Sequence, residues 1–205
     1  MLYKKRRERL MKNVGEGIIL LSSNYHLARN YKGNPLPFLQ DSSFLYFTGI
    51  SIPALYCLLD CDSGKEFLAG TDPTVEDAIW SGPQKSLSEH AEYSGISGIR
   101  ETDQLSAYLR QALSRGRKIH FLPPYTAERK AALGNLLGLP ADKVEGMASV
   151  LLIKAVIAQR SVKTAEEVAE IETALDSTTG PMHIMAMRMA REGVYEYEIV
   201  AEMNR

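Results

Sequence analysis

Ala54-Leu-Tyr-Cys-Leu-Leu-Asp60 and Glu66-Phe-Leu-Ala69, joined by Asp62-Ser-Gly-Lys65, read as two apolar strands and a hairpin turn. Aspartate, serine and glycine are the residues that tight turns select, and both flanking runs have buried-strand length. Working outward, Gly17-Ile-Ile-Leu-Leu-Ser22 is a third continuous apolar run, and Lys118 to Leu122, closed by Pro123-Pro124, is a fourth strand candidate. Ser43 to Thr48 alternates polar and aromatic residues, which predicts a strand burying its aromatics. Between these lie helices. Asp103 is positioned as an N-cap for a helix with Leu105, Tyr108, Leu109, Ala112 and Leu113 on one face, stopped at Gly116, and Ala127 to Leu137 forms another. Hairpins mixed with strand–helix–strand units imply an α/β fold, a mixed sheet flanked by helices.

Beyond about residue 145 the pattern turns helical. Thr164-Ala-Glu-Glu167 fits a capping box, and apolar residues recur at Val168, Ile171, Leu175, Met182, Met185 and Met189. Proline lacks an amide hydrogen and clashes one turn back, so Gly180-Pro181 predicts a kink or break. Gly193 ends that segment, and Tyr195 to Met203 starts a helix that is still running near Arg205. Few partners remain to bury the methionine-rich stripe. It reads as the core of a domain encoded further on rather than as an adaptable binding surface.

Composition sets the bounds. The 205 residues carry 45% hydrophobic and 24% charged side chains and a net charge of −1, so charge favours neither nucleic acid nor an anionic membrane as partner. Lys4 to Arg9 is a short basic run, expected to be the solvated face of a first helix that packs through Leu2, Leu10 and Met11. No segment has the length of a membrane span or a signal h-region. Two cysteines, Cys57 and Cys61, are too few for a disulfide framework; reduced thiols and a cytoplasmic location are the expectation.

The residues show little chemistry by themselves. His26, His90, His120 and His183 have no zinc-ligand spacing, and His120, facing away from Ile119 and Phe121 on its strand, reads as a hydrogen-bonded structural histidine. The 25 acidic residues include no aspartate pair at two-metal spacing with a histidine and two glutamates. Asp60 and Asp62 flank a turn. There is neither a phosphate-cradling glycine loop nor a Gly-x-Ser-x-Gly elbow.

One stretch carries a resemblance. Phe38-Leu-Gln-Asp-Ser-Ser-Phe-Leu-Tyr-Phe-Thr-Gly49 resembles the F-R-Q-D-S-x-F-x-Y-L-T-G signature in the N-terminal domain of Xaa-Pro aminopeptidases, the creatinase/prolidase-like family with a pita-bread catalytic domain. Asp72-Pro-Thr-Val-Glu-Asp-Ala-Ile-Trp-Ser-Gly82 is similar to the family's D…E…W-x-G segment. Arg160-Ser-Val-Lys-Thr-Ala-Glu-Glu-Val is similar to its R-x-x-K-S/T-x-x-E-I/V linker, and Gly193-Val-Tyr-Glu-Tyr-Glu-Ile199 to its G-x-x-E-x-E-I/V turn. The four motifs span the chain in order. Leu39 departs from the signature's arginine, and Gly180-Pro181 falls within what is commonly an unbroken helix.

The resemblance implies an N-terminal α/β domain over 1–158, then a linker and the opening helices of a catalytic domain over 159–205. It implies no catalytic or metal residue in this chain. The parent would hold two divalent ions, manganese in most relatives, on two aspartates, a histidine and two glutamates beyond Arg205, and would hydrolyse peptides with proline second. The implied partners are the chain's own catalytic domain, a peptide substrate and further copies in a dimer or tetramer, with no nucleic acid and no membrane. This part would serve assembly and substrate access. A prolidase- or creatinase-like hydrolase and a non-catalytic peptide-binding relative are the alternatives. In the signature, Phe38, Gln40, Asp41, Ser42, Phe44, Tyr46, Thr48 and Gly49 are expected to be structural, with Asp41 capping or ordering the loop. Trp80 is the candidate for substrate access, since an apolar aromatic wall suits a proline ring. Burial in its own domain core is the reading favoured over that contact.

Overall fold

The computed structural model describes residues 2–31 and 33–205. The chain divides into two units, one ending at Gln159 and one spanning Arg160–Arg205. The first unit runs α1 (Leu2–Val14), β1 (Ile18–Ser22), α2 (Ser42–Thr48), β2 (Tyr56–Asp60), β3 (Lys65–Gly70), α3 (Val75–Ser81), α4 (Leu87–Ser94), β4 (Gly98–Glu101), α5 (Thr102–Ser114), β5 (Ile119–Phe121), α6 (Ala127–Leu137), the short α7 (Ala141–Val144) and α8 (Val150–Ser161), the last crossing the division. Five strands make one mixed sheet in the order β4-β3-β2-β1-β5. The pairs β1–β2 and β2–β3 are antiparallel, while β1–β5 and β3–β4 are parallel.

All five residues of both β1 and β2 are buried. Strand geometry sends neighbouring side chains to opposite faces, so strands this apolar need cover on both. The two cores follow that alternation. Ile19, Leu21, Cys57, Leu59 and Leu68 pack with Leu10, Phe44, Phe47, Leu87, Leu152 and Val156 on one side. Ile18, Leu20, Leu58 and Ala69 pack with Leu105, Leu109, Leu133, Leu136 and Val144 on the other. The result is a helix–sheet–helix sandwich, with each fully buried leucine or phenylalanine contributing about 1.5–3 kcal/mol.

Several local expectations are corrected. Ser42–Thr48 is a helix, not a strand, because Asp41 caps it and the buried residues Ser43, Phe44, Phe47 and Thr48 follow a helical period. Glu101, not Asp103, stands at the N-cap of α5 and makes no side-chain cap bond, while Asp103 lies in the first turn, where the helix dipole favours an anion. The basic run of α1 is not wholly solvated, and Leu2, expected in the packed face, is 42% exposed.

Arg7 has no exposed surface. Its Nη2 meets Glu66 Oε2 at 2.8 Å, and its Nε donates to the same oxygen at 3.1 Å. Nη1 donates to the carbonyls of Phe47 and Ser94 at 3.0 and 3.1 Å, and Nη2 to that of Gly95 at 3.2 Å. One guanidinium thus ties α1 to β3 and to the ends of α2 and α4. Asp60, at the end of β2, is the second polar knot. It accepts from Tyr108 Oη at 2.5 Å and from Arg117 at 2.6 and 3.0 Å. Burial alone would raise the Asp60 carboxyl, but the Arg117 and Tyr108 hydrogen bonds and the Ser63 amide outweigh it, holding the group well below the usual carboxylate range.

The second unit holds α9 (Ala165–Ala174), a π-helical segment over Leu175–Thr179, α10 (Gly180–Met189) and α11 (Glu196–Met203). Thr164 and Glu167 form the expected capping box. The break foreseen at Gly180-Pro181 does not occur. The preceding turn widens instead, so that the Gly180 amide bonds Leu175 O. That widening accommodates the proline. A side chain at Gly180 would meet the Leu175 carbonyl oxygen at 2.8 Å, and Ser177 and Thr178 hydroxyls bond the carbonyls of Thr173 and Ala174. None of the described residues in α9, α10 or α11 is buried.

Two outcomes are expected. Glu66→Ala strands the Arg7 charge in the core and lowers unfolding free energy by about 3–5 kcal/mol, measured by urea denaturation. For Asp60 the folded-state pKa is depressed, so its contribution is complete above the ordinary aspartate value of about 4 and is lost as pH falls below it. Urea midpoints taken from pH 7 down to pH 2 should therefore fall more steeply for wild type than for Asp60→Asn, which starts lower at pH 7.

Candidate functional site

The Phe38–Gly49 signature is built around two polar side chains, Gln40 and Asp41. Gln40 is 7% exposed. Its Oε1 accepts from the Asn24 and Asp41 amides at 3.0 and 2.8 Å, and its Nε2 donates to the carbonyls of Ile50 and Ile52 at 3.1 and 2.9 Å. One amide thus joins the loop after β1 to both sides of α2. Asp41 Oδ1 accepts from the Ser43 and Phe44 amides at 3.0 and 2.8 Å, capping α2. Asp41 Oδ2 pairs with Arg129 Nη1 at 2.9 Å, and Arg129, itself 3% exposed, also donates to Ser22 Oγ and Asn24 Oδ1.

The remaining signature residues are placed by the same helix. Phe44 is fully buried, and the Thr48 hydroxyl donates to Phe44 O at 2.7 Å while accepting from the Ile50 amide. Tyr46 is half-buried under the Arg6 guanidinium, 3.9 Å from the ring centre. Gly49 closes α2 in the left-handed region at φ 71°, and a side chain there would run into the Tyr3 ring. Phe38 lies edge-on to His26 at 5.4 Å, Ser42 is exposed, and Leu39, where the signature has arginine, is 81% exposed.

Trp80 is not in a core. It sits on α3 with 82% of its surface exposed, beside Ile79 and one turn from Val75, which are also open to solvent. Next to α3 lies an open cleft of about 660 Å³, floored by Leu55 and Leu87 and rimmed by Phe38, Asp77, Lys85 and His90. Its wall includes Ala54, held at φ 59° by an amide bond to Asn24 O. Thr71 to Pro73, which follow β3, also line the cleft.

Both thiols and His120 are held in the structure by burial. Burial pushes Cys57 up to about 12 and Cys61 up to about 11, so both stay protonated at neutral pH. His120 is buried with Nδ1 at 2.7 Å from Ser149 Oγ, a structural histidine as its strand position suggested. Among the described residues no three histidine, cysteine, aspartate or glutamate side chains form a group that could hold a metal ion. No described helix is long and apolar enough to cross a membrane.

Arg7, Arg117 and Arg129 were not singled out by the sequence. Each stands in an ordinary helical or turn context, and its carboxylate partner lies 59, 57 or 88 residues away. Spacing within the chain therefore carries no sign of the pairing.

A sandwich of this topology is shared with solved aminopeptidase P structures. The low-pH form of the Escherichia coli enzyme superposes with a TM-score of 0.79 at 21% identity, over 98% of this chain and 48% of that one. Pseudomonas aeruginosa aminopeptidase PepP gives a TM-score of 0.78 at 23% identity, over 98% of this chain and 47% of that one. The fold class is thus that of the N-terminal half of these proteins. The chain belongs to the family described as "Aminopeptidase P, N-terminal domain", whose profile matches residues 3–120. Among curated relatives, "Probable Xaa-Pro aminopeptidase pepP" of Aspergillus terreus is 30% identical over 190 residues, covering 89% of this chain and 38% of the relative. A second, from Paracoccidioides brasiliensis, is 24% identical over 98% of this chain and 42% of its own length. The chain thus spans about two-fifths of the length of the curated relatives it matches.

Asp41 makes the expected outcome specific. Asp41→Ala removes the α2 cap, worth about 1 kcal/mol, and leaves the buried Arg129 charge without its carboxylate, so the total loss is about 3–5 kcal/mol. Asp41→Asn keeps a capping oxygen. It should be the more stable of the two by about 1 kcal/mol, measured by thermal and urea unfolding.

Proposed function

We propose that this chain is the non-catalytic N-terminal portion of a Xaa-Pro aminopeptidase, a metal-dependent hydrolase that releases the first residue from peptides whose second residue is proline. The observation that carries the reading is the family match over residues 3–120, extended by 30% identity to a named Xaa-Pro aminopeptidase over most of the chain. In this reading 1–158 form the α/β domain, and 159–205 form the linker and first helices of the catalytic domain. The metal ligands for two divalent ions, with manganese the metal to test first, follow after Arg205. The enzyme is cytoplasmic and works as a homodimer or homotetramer.

The N-terminal domain then serves assembly and substrate access. Trp80 is the contact proposed for access. An exposed indole on a short helix presents a broad apolar face, which suits a proline ring because that ring offers no amide hydrogen to bond. The apolar residues left open on α9 to α11 support the same division of labour, since Val168, Ile171 and Leu175 are 40%, 46% and 48% exposed. Burial of such a stripe requires further protein surface.

The test uses the protein that carries this chain, assayed for amino-acid release from peptides with and without proline second. Manganese-dependent cleavage confined to the proline peptides, abolished by a chelator, is expected, and residues 1–205 alone should release nothing. Trp80→Ala should lower kcat/KM by about threefold to tenfold, the scale of one aromatic contact. Activity from residues 1–205 alone, or equal cleavage without proline, would refute the assignment.

A further inference from the structure

Among the described α-helices of the first unit, α3 alone has no buried residue. It is seven residues long and none of them is buried. Helix nucleation costs more than so few backbone bonds return, so a helix this short does not persist on its own in water. Packing normally makes up the difference, as it does for α2, where Phe44 and Phe47 are fully buried. On α3 the apolar residues Val75, Ile79 and Trp80 are 80%, 76% and 82% exposed, so packing contributes little.

What holds the helix is its first turn. Asp77 Oδ2 accepts from the Thr74 amide at 2.8 Å and from the Thr74 hydroxyl at 2.7 Å. Thr74 Oγ1 in turn accepts from the Asp77 amide at 3.2 Å. This is a closed capping box, satisfying donors that the helix start would otherwise leave to water. Glu76 and Asp77 also put negative charge in the first turn, where the dipole favours it. At the far end Gly82, at φ 76°, and Pro83 stop the helix just past Trp80.

We propose that Thr74 and Asp77 are positioning residues for Trp80, setting how much of the time its indole is presented on an ordered helix rather than on a frayed loop. The proposal rests on the reading of Trp80 as a substrate-access contact and deepens it. In this proposal both side chains act through α3. Asp77 is held below the usual aspartate range by the Thr74 hydroxyl and then the Thr74 amide. Its contribution is therefore complete above about pH 4 and declines as pH falls below that, so the box is fully formed at neutral pH.

The sequence contains a single tryptophan, so indole fluorescence reports α3 without interference. In the 205-residue chain, Asp77→Ala and Thr74→Ala should each lower the ratio of ordered to frayed α3 about fivefold. Cα chemical shifts at residues 75–81 and lower indole anisotropy read this change, with the melting temperature of the sandwich unchanged. Thr74→Ser keeps the hydroxyl and should retain the helix. In the protein that carries this chain, both alanine variants should raise KM for a proline-second peptide severalfold, as Trp80→Ala does, with kcat held within about twofold, and Thr74→Ser should restore KM. Helical shifts that persist in Asp77→Ala overturn the proposal. So does a melted α3 with KM unchanged while Trp80→Ala still raises it, and that result leaves the Trp80 reading standing. An unchanged KM in Trp80→Ala removes that reading and the proposal with it.

Discussion

The carboxylate of Asp41 does two jobs with its two oxygens, and the signature loop, the end of β1 and α6 all depend on them. One oxygen caps α2 through the Ser43 and Phe44 amides, and the other meets Arg129 at 2.9 Å. The pairing reaches across 88 residues and brings the start of α6 against Ser22 and Asn24. A buried guanidinium cannot be left without an acceptor, so the position of α6 and the path of the loop are set together. Gln40, next in line, fixes the same loop to the backbone on the other side of α2. The motif is therefore a bracket: it holds elements on both faces of the sheet by satisfying polar groups that would otherwise be buried alone.

The same logic explains what could be read from residues alone. The hairpin, Ile18–Ser22, the short strand at Ile119 and the helices at Ala127 and Ala165 follow from apolar runs, period and capping residues, each a local property. The Ser42–Thr48 helix escaped because two readings of one pattern compete. Aromatics at 44 and 46 alternate like a strand, whereas burial follows 43, 44, 47 and 48 once Asp41 starts a helix. Arg7 and Arg129 escaped for another reason. A buried arginine in a helix looks like a solvated one until the distant carboxylate is placed beside it, and no local spacing records that partner. Trp80 reversed its favoured reading for a similar reason: its type predicts burial, and only the tertiary path shows that α3 stands free.

The two units differ in what their apolar residues meet. In the sandwich, polar knots at Arg7–Glu66 and Asp60–Arg117 tie β3 and β2 to distant parts of the chain, beside strands that are largely covered. In Arg160–Arg205, order comes from local devices instead. A capping box starts α9, a widened turn absorbs Pro181, and Tyr195 and Tyr197 stack at 5.5 Å beside the start of α11. Local devices define helices without burying their faces.

Exposure on α3 needs a different account, because α3 belongs to the unit that is otherwise well packed. A capping box at its start, a glycine at its end and no buried residue between them mean that the helix is specified by its termini while its faces stay free. Selection for stability alone would not favour an indole 82% exposed on a helix that contributes nothing to the core. A helix held in this way keeps its side chains available at little cost to the sandwich, since its local unfolding need not disturb the sheet. The capping box and the exposed tryptophan therefore make sense as one arrangement. The first fixes the start of the helix that carries the second.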